Sequence, residues 1–82
     1  MRGKEKMKEE KYIGKVVWFK ARPLGYGFIS REGEKDLFVH WSDIEGDGFK
    51  TLEKDQTVAF SIGLNNRKQP KATEVVVIEN PE

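Results

Sequence analysis

The sequence predicts an all-β fold, a five-stranded antiparallel Greek-key barrel. Apolar, aromatic and β-branched residues occur in short runs separated by turn-forming residues, which is typical of strands rather than helices. One long connection separates the third run from the fourth. Closing so short a chain into a barrel also removes the exposed sheet edges that a small sandwich would leave. The predicted strands cover residues 12–20, 26–30, 36–40, 57–62 and 72–79.

The chain length of 82 residues is enough for one domain. Its core must be thin, because a chain of this size buries only about 60% of its unfolded surface. The chain has no cysteine, so neither a disulfide nor a thiolate zinc site supplements that core. No apolar run is long enough to span a membrane, and the N-terminus lacks the apolar segment of a secretory signal. We therefore expect a cytoplasmic protein with no membrane partner.

Charge and periodicity divide the chain at residue 12. Residues 1–11 have no apolar periodicity and carry five Lys or Arg against three Glu, which predicts a charged, flexible N-terminal tail. Residues 12–82 form the predicted domain, with 10 positive and 11 negative side chains. Because the net charge of the whole chain is only +1, binding of a polyanion would need a local group of cations.

Alternation in the third run separates an aliphatic face from an aromatic one. Neighbouring side chains on a strand point to opposite faces of the sheet. Leu37 and Val39 therefore share one face, which we assign to the core. Phe38 shares the other face with the ionisable His40, which is an unusual place for a core phenylalanine.

The second run shows the same division. Ile29 belongs with the core, which turns the side chains on either side of it outward. The short connection 31–35 predicts an antiparallel hairpin between the second and third strands, with its register set by the buried residues. The outer face of this hairpin is predicted to hold Tyr26, Phe28, Phe38 and His40.

Exposed aromatic residues in one patch usually mark a binding site. Stacking on such rings holds unpaired bases of any sequence at about 1–3 kcal/mol each, whereas the bases of a duplex are already stacked on one another. Gly25 and Gly27 flank Tyr26 without bulk and let a nucleic-acid strand approach the backbone. These features predict a single-stranded nucleic acid as the ligand. The alternatives are that segment 41–56 covers the patch as a second small core, or that the patch binds a partner protein.

Two sequence motifs resemble those of the cold-shock domain family. LGYGFI (24–29) resembles its first ribonucleoprotein motif, and LFVH (37–40) resembles the second. The resemblance covers residues 12–79 and implies an oligonucleotide-binding (OB) fold that binds single-stranded RNA or DNA. It also implies a role as an RNA chaperone or as a regulator of transcription or translation. Three further segments fit the family pattern, namely GKVVWF (14–19), HWSDI (40–44) and GFKTL (48–52).

The resemblance implies a set of base-stacking residues. Trp18 shares a face with Val16 by parity, so a β-bulge near Val17 is needed to expose it. The implied stacking residues are Trp18, Tyr26, Phe28, Phe38, His40, Trp41 and Phe49. The cations that we expect to contact phosphates are Lys20, Arg22, Lys50 and Arg67. The residues that we assign to the core are Phe19, Ile44, Val58, Phe60, Ile62, Val75 and Val77.

The sequence departs from the family at two expected phosphate contacts. Val17 and Leu24 stand where the family usually has lysine, and Lys20 replaces the usual asparagine. The direction of Lys20 and Arg22, which could restore the lost charge, is not determined by the sequence. The last loop resembles the family pattern only loosely, with Arg67 and Pro70 as the matching residues.

Catalysis is not supported by the residue types present. One His, no Cys and no carboxylates that their spacing would pair leave no nucleophile and base to propose, so we predict a protein that is not an enzyme. The same inventory predicts no metal, no cofactor and no small-molecule substrate. We expect a monomer. The remaining alternative function is a protein-interaction module that uses the same aromatic patch.

Overall fold

The computed structural model describes residues 11–46 and 50–81. Its only regular elements are β-strands and one short 3₁₀ turn, so the prediction of an all-β fold is confirmed. The second to fifth strands run slightly longer than the sequence pattern indicated. The strands are β1 Tyr12–Lys20, β2 Tyr26–Arg31, β3 Glu34–His40, β4 Thr57–Leu64 and β5 Pro70–Glu79, and the 3₁₀ turn Trp41–Asp43 follows β3.

The strands close into a barrel in the order β1-β2-β3-β5-β4. β1 pairs in antiparallel fashion with both β2 and β4, and the β2–β3 and β4–β5 pairs are also antiparallel. The closing contact between β3 and β5 is parallel and consists of one register pair, Phe38 with Lys71. A single parallel bridge between Ile44 and Val75 extends this contact beyond β3. The β3–β5 seam is therefore the narrowest join in the barrel.

The core is a single cluster of apolar side chains inside the barrel, and the partly buried Phe19, Trp41 and Val77 pack against it. Ile62 is a correction to the predicted core, since 37% of it is exposed. β1 covers β4 only as far as the pair Tyr12–Phe60, and Ile62 lies beyond that pair, where β4 contacts β5 alone. The buried residues are Val16, Ile29, Leu37, Val39, Ile44, Leu52, Val58, Phe60, Ala72 and Val75.

Lys11 is the first described residue, and it contacts β5. Its ammonium lies 3.2 Å from Oε1 of Glu74, whose backbone has a φ of 51° at a shift in the β4–β5 register. The hydrogen bond and the charge of Lys11, with a weaker hydrogen bond from Ser61, hold the pKa of the Glu74 carboxyl below its ordinary value of 4.5. Because both side chains are exposed to solvent, the pair contributes little to stability.

Gly14 marks a point where two strands and the core approach too closely for a side chain. A Cβ at this position would collide with the Ser30 carbonyl oxygen and with the Ile29 side chain, and would lie 3.2 Å from the Phe60 ring. The first of these obstacles is backbone, which cannot rotate away.

We predict that Gly14→Ala lowers the free energy of unfolding by about 1–3 kcal/mol, the usual range for overpacking a core. Gly63→Ala is the matched control, because its Cβ would meet only the side chain of Thr73, whose methyl group lies 3.1 Å away. We expect the control to change stability by no more than about 0.5 kcal/mol. Urea unfolding of both variants checks this, and equal stabilities would contradict the close packing at Gly14.

Candidate nucleic-acid interface

The outer side of β1, β2 and β3 carries the predicted aromatic rings in mutual contact. Trp18 lies edge-on to Phe28, with ring centroids 5.4 Å apart, and Phe28 lies edge-on to Phe38 at 5.9 Å. Tyr26 stacks on Phe38 at 5.9 Å and also touches Trp18 at 5.7 Å. Each ring is partly buried by its neighbours and keeps part of its surface open to solvent. We call this surface, together with His40 and Trp41, the aromatic face.

The register of the strands explains why these rings meet. Phe28 pairs with Trp18 on one side and with Phe38 on the other, which places three rings in a row across the sheet. The register shifts between Val16 and Trp18, so Val17 is the extra residue of a β-bulge. Val16 then points into the core while Trp18 points out. The predicted bulge is confirmed.

His40, the last residue of β3, and Trp41, the first residue of the 3₁₀ turn, extend the aromatic face. Tyr26 pairs with His40 across the hairpin, and the imidazole lies 5.7 Å from the indole of Trp41. Nδ1 of His40 accepts the backbone N–H of Ser42 and lies 2.8 Å from its hydroxyl oxygen. The imidazole is thereby oriented by the turn that follows it.

Gly25 is required for the position of Trp41. The Trp41 backbone N–H donates to the Gly25 carbonyl oxygen at 2.8 Å. A Cβ at Gly25 would collide with the indole ring, and the glycine has a φ of +66°, a conformation that other residues rarely adopt. The connection between β1 and β2 therefore holds the tryptophan directly against its backbone.

Two cations of the β1–β2 hairpin lie over the two tryptophans. The ammonium of Lys20 is 5.7 Å from the centre of the Trp18 ring, and the Arg22 guanidinium is 5.0 Å from the centre of the Trp41 ring. Both side chains are exposed, and these distances are typical of cation–π contacts. The direction of Lys20 and Arg22, which the sequence left open, is toward the aromatic face.

Two predicted cations lie away from the rings, and one predicted ring, Phe49, lies outside the described residues. Lys50 is partly buried and Arg67 is exposed, and neither lies over an aromatic ring of the described residues in a cation–π contact. The backbone N–H of Arg67 donates to the Asn65 side chain at 2.8 Å, which shapes the β4–β5 loop.

Sequence reasoning missed a groove at the end of the aromatic face. The groove has a volume of about 410 Å³. The sequence could have indicated that Asp36 lines this groove, because Asp36 shares a strand face with Phe38 two residues later. The lining residues from the β4–β5 loop could not be predicted, because no sequence periodicity links a loop to the strand beside it. The residues that line the groove are Phe28, Asp36, Phe38, Asn65, Gln69 and Pro70.

A second depression, of about 470 Å³, lies on strands β1, β4 and β5 and the residues that flank them. No aromatic residue lines it, and its walls are mainly polar. It lacks the ring surfaces on which a base can stack, so the aromatic face is the better candidate site despite the smaller volume of its groove. In the part of the chain described, no helix is long and apolar enough to cross a membrane.

The arrangement combines exposed ring faces with cations at their margin on a small closed barrel. Rings stack on unpaired bases, and ammonium and guanidinium groups attract phosphates. These are the features of an OB-type barrel that binds single-stranded nucleic acid.

Comparison with known proteins identifies the family. Residues 12–78 match the model of the 'Cold-shock' DNA-binding domain. The chain is 50% identical over 66 residues to a cold shock-like protein of Thermotoga maritima, which covers 80% of this chain and 97% of the relative. It is 54% identical over 63 residues to cold shock protein CspB of Bacillus caldolyticus, covering 77% and 92% of the two chains. This protein therefore belongs to the nucleic-acid-binding cold-shock domain family.

Proposed function

We propose that this protein binds single-stranded RNA, and also single-stranded DNA, by stacking unpaired bases on the aromatic face. The observation that carries the proposal is the contiguous row of Trp18, Phe28 and Phe38, directed away from the core on three paired strands. Each base stacked on such a ring contributes about 1–3 kcal/mol, and stacking tolerates any base because every base has a π-face. The binding is thus broad in sequence and selective for unpaired strands.

The individual residues have two kinds of role in this proposal. Lys20 and Arg22 already lie over indole rings and attract the phosphates that connect neighbouring bases. Lys50 and Arg67 supply further positive charge from the loops on either side of β4, and Phe49 adds another stacking ring. The stacking rings are Trp18, Tyr26, Phe28, Phe38, His40, Trp41 and Phe49.

The cations favour a nucleic acid over a partner protein as the ligand. An apolar patch that docks a protein is usually depleted of charge at its centre. Here a positive group lies within 6 Å of each of two rings, which favours a polyanion whose bases are also aromatic. The proposed activity is binding without catalysis.

The physiological role follows from the preference for unpaired bases. A protein that occupies bases without reading their sequence opposes local pairing in many transcripts. We therefore propose that the protein acts as a monomeric RNA chaperone in the cytoplasm, or as a regulator of transcription or translation through the same binding.

We predict that Phe28→Ala and Phe38→Ala each weaken binding of a short oligouridylate by about 1–3 kcal/mol while the barrel stays folded. The physical reason is that both rings lie outside the core, so their removal takes away stacking surface and ring–ring contacts but leaves the core packing in place. Tyr12→Ala is the matched control, because Tyr12 is an exposed aromatic residue on β1 that contacts Phe60 instead of the aromatic face. Fluorescence anisotropy and circular dichroism give affinity and folding. Loss of the fold without a separate loss of affinity would contradict the assignment.

We predict that Leu24→Lys steepens the dependence of log affinity on log salt by up to about 0.7, the increment for one phosphate neutralised on a single strand. Leu24 is 53% exposed in the connection between Lys20 and β2, beside the two cations that cover the tryptophans. Ile13→Lys is the control, since Ile13 is 57% exposed on β1 opposite Ala59 of β4. Anisotropy titrations over a range of salt concentrations measure both slopes. Equal slopes in the two variants would show that position 24 does not face the ligand backbone.

A further inference from the structure

One ion pair in this barrel differs from the others in its shielding. Nζ of Lys71 lies 3.0 Å from Oδ2 of Asp43, and the two side chains are only 25% and 18% exposed. The other ion pairs of the described residues, Lys11–Glu74 and Lys54–Asp55, are longer and more exposed. Exposed pairs contribute little, whereas breaking a shielded pair leaves a charge without compensation.

The shielded pair crosses the narrowest join of the barrel. Lys71 belongs to the one register pair between β3 and β5, opposite Phe38. Asp43 ends the 3₁₀ turn that begins with Trp41. The bridge between Ile44 and Val75 is the nearest backbone pairing that joins the segment after the turn to β5. The ion pair is therefore a side-chain link between β5 and the turn that carries the last ring of the aromatic face.

The pair also determines what Lys71 can do. A lysine level with Phe38 would be well placed to bind a phosphate of a strand lying on the aromatic face. Its charge, however, compensates Oδ2 of Asp43, which is shielded from solvent and has no properly oriented hydrogen-bond donor among the described residues. Moving the ammonium to a phosphate would leave that carboxylate oxygen uncompensated.

We propose that Lys71 and Asp43 are positioning residues of the nucleic-acid interface. Their ion pair fixes the turn that holds His40 and Trp41 at the end of the aromatic face, and it withholds the charge of Lys71 from the ligand. This inference rests on the proposed function, since it assigns the two residues a part in presenting that site. It predicts an unusual outcome, in which removing an acidic residue adds a phosphate contact.

The test compares Lys71→Met, Asp43→Asn and the double variant in the full chain. Lys54→Met is the control, because it also removes one positive charge but breaks an exposed pair in the turn before β4. Affinity for a long oligouridylate is measured over a range of salt concentrations, with thermal melting for each variant. Phe38→Ala is measured beside them as the check on the proposed function itself.

Lys71→Met should weaken binding by about three- to tenfold, in the lower part of the range of couplings between neighbouring residues. Its salt slope should be no shallower than that of Lys54→Met. Asp43→Asn should free the ammonium and steepen the slope by about 0.7. The double variant should bind as weakly as Lys71→Met with the wild-type slope. Because the double variant leaves no uncompensated carboxylate, it can be measured even if Lys71→Met alone does not fold.

Two results would overturn the inference. A salt slope for Lys71→Met that is shallower than the control by about 0.7 would show that Lys71 already binds a phosphate. Unchanged affinity and slope in Asp43→Asn would show that the pair neither holds the turn nor withholds the charge. If wild type fails to bind, or if Phe38→Ala binds as well as wild type, the proposed function fails instead.

Discussion

The outward direction of the aromatic rings depends on the burial of the aliphatic residues beside them. Ile29, Leu37 and Val39 are all but fully buried. Because side chains alternate strictly along a strand, this burial forces the intervening rings of β2 and β3 to the outside. A slip of one residue would exchange the two sets and expose the core. One strand register therefore both buries the core residues, on which stability depends, and exposes the binding rings.

The connections complete the site that the register begins. The bulge at Val17 brings the Trp18 ring into line with Phe28, and the contact of Gly25 with the indole of Trp41 fixes the other end of the face. The β1–β2 hairpin places one cation over each tryptophan. Positive charge is therefore concentrated where bases would stack, although the whole chain has a net charge of only +1.

The five short apolar runs and the long connection between the third and the fourth predicted the barrel. Alternation along the strands then predicted the outward direction of Phe28, Phe38 and His40. The outward direction of Trp18 could be predicted only with the family resemblance, because regular alternation along β1 places Trp18 on the same face as the core residue Val16. The assignment of Ile62 to the core was wrong, because the alternation of side chains along β4 cannot show where the neighbouring strand β1 ends. The link between Asp43 and Lys71 joins residues 28 positions apart across the β3–β5 seam, and no local pattern encodes such a contact. Phe49, Lys50 and Arg67 stay predictions.

The most direct test of the central claim is the fluorescence of the two tryptophans during titration with nucleic acid. Single-stranded oligouridylate or oligothymidylate should quench the emission, because bases stacked on Trp18 and Trp41 lie in contact with the indole rings. A duplex RNA of the same length should leave the emission nearly unchanged at the same concentration, because its bases are stacked within the helix. Emission that does not respond to the single strand, or responds equally to the duplex, would contradict base stacking on the aromatic face.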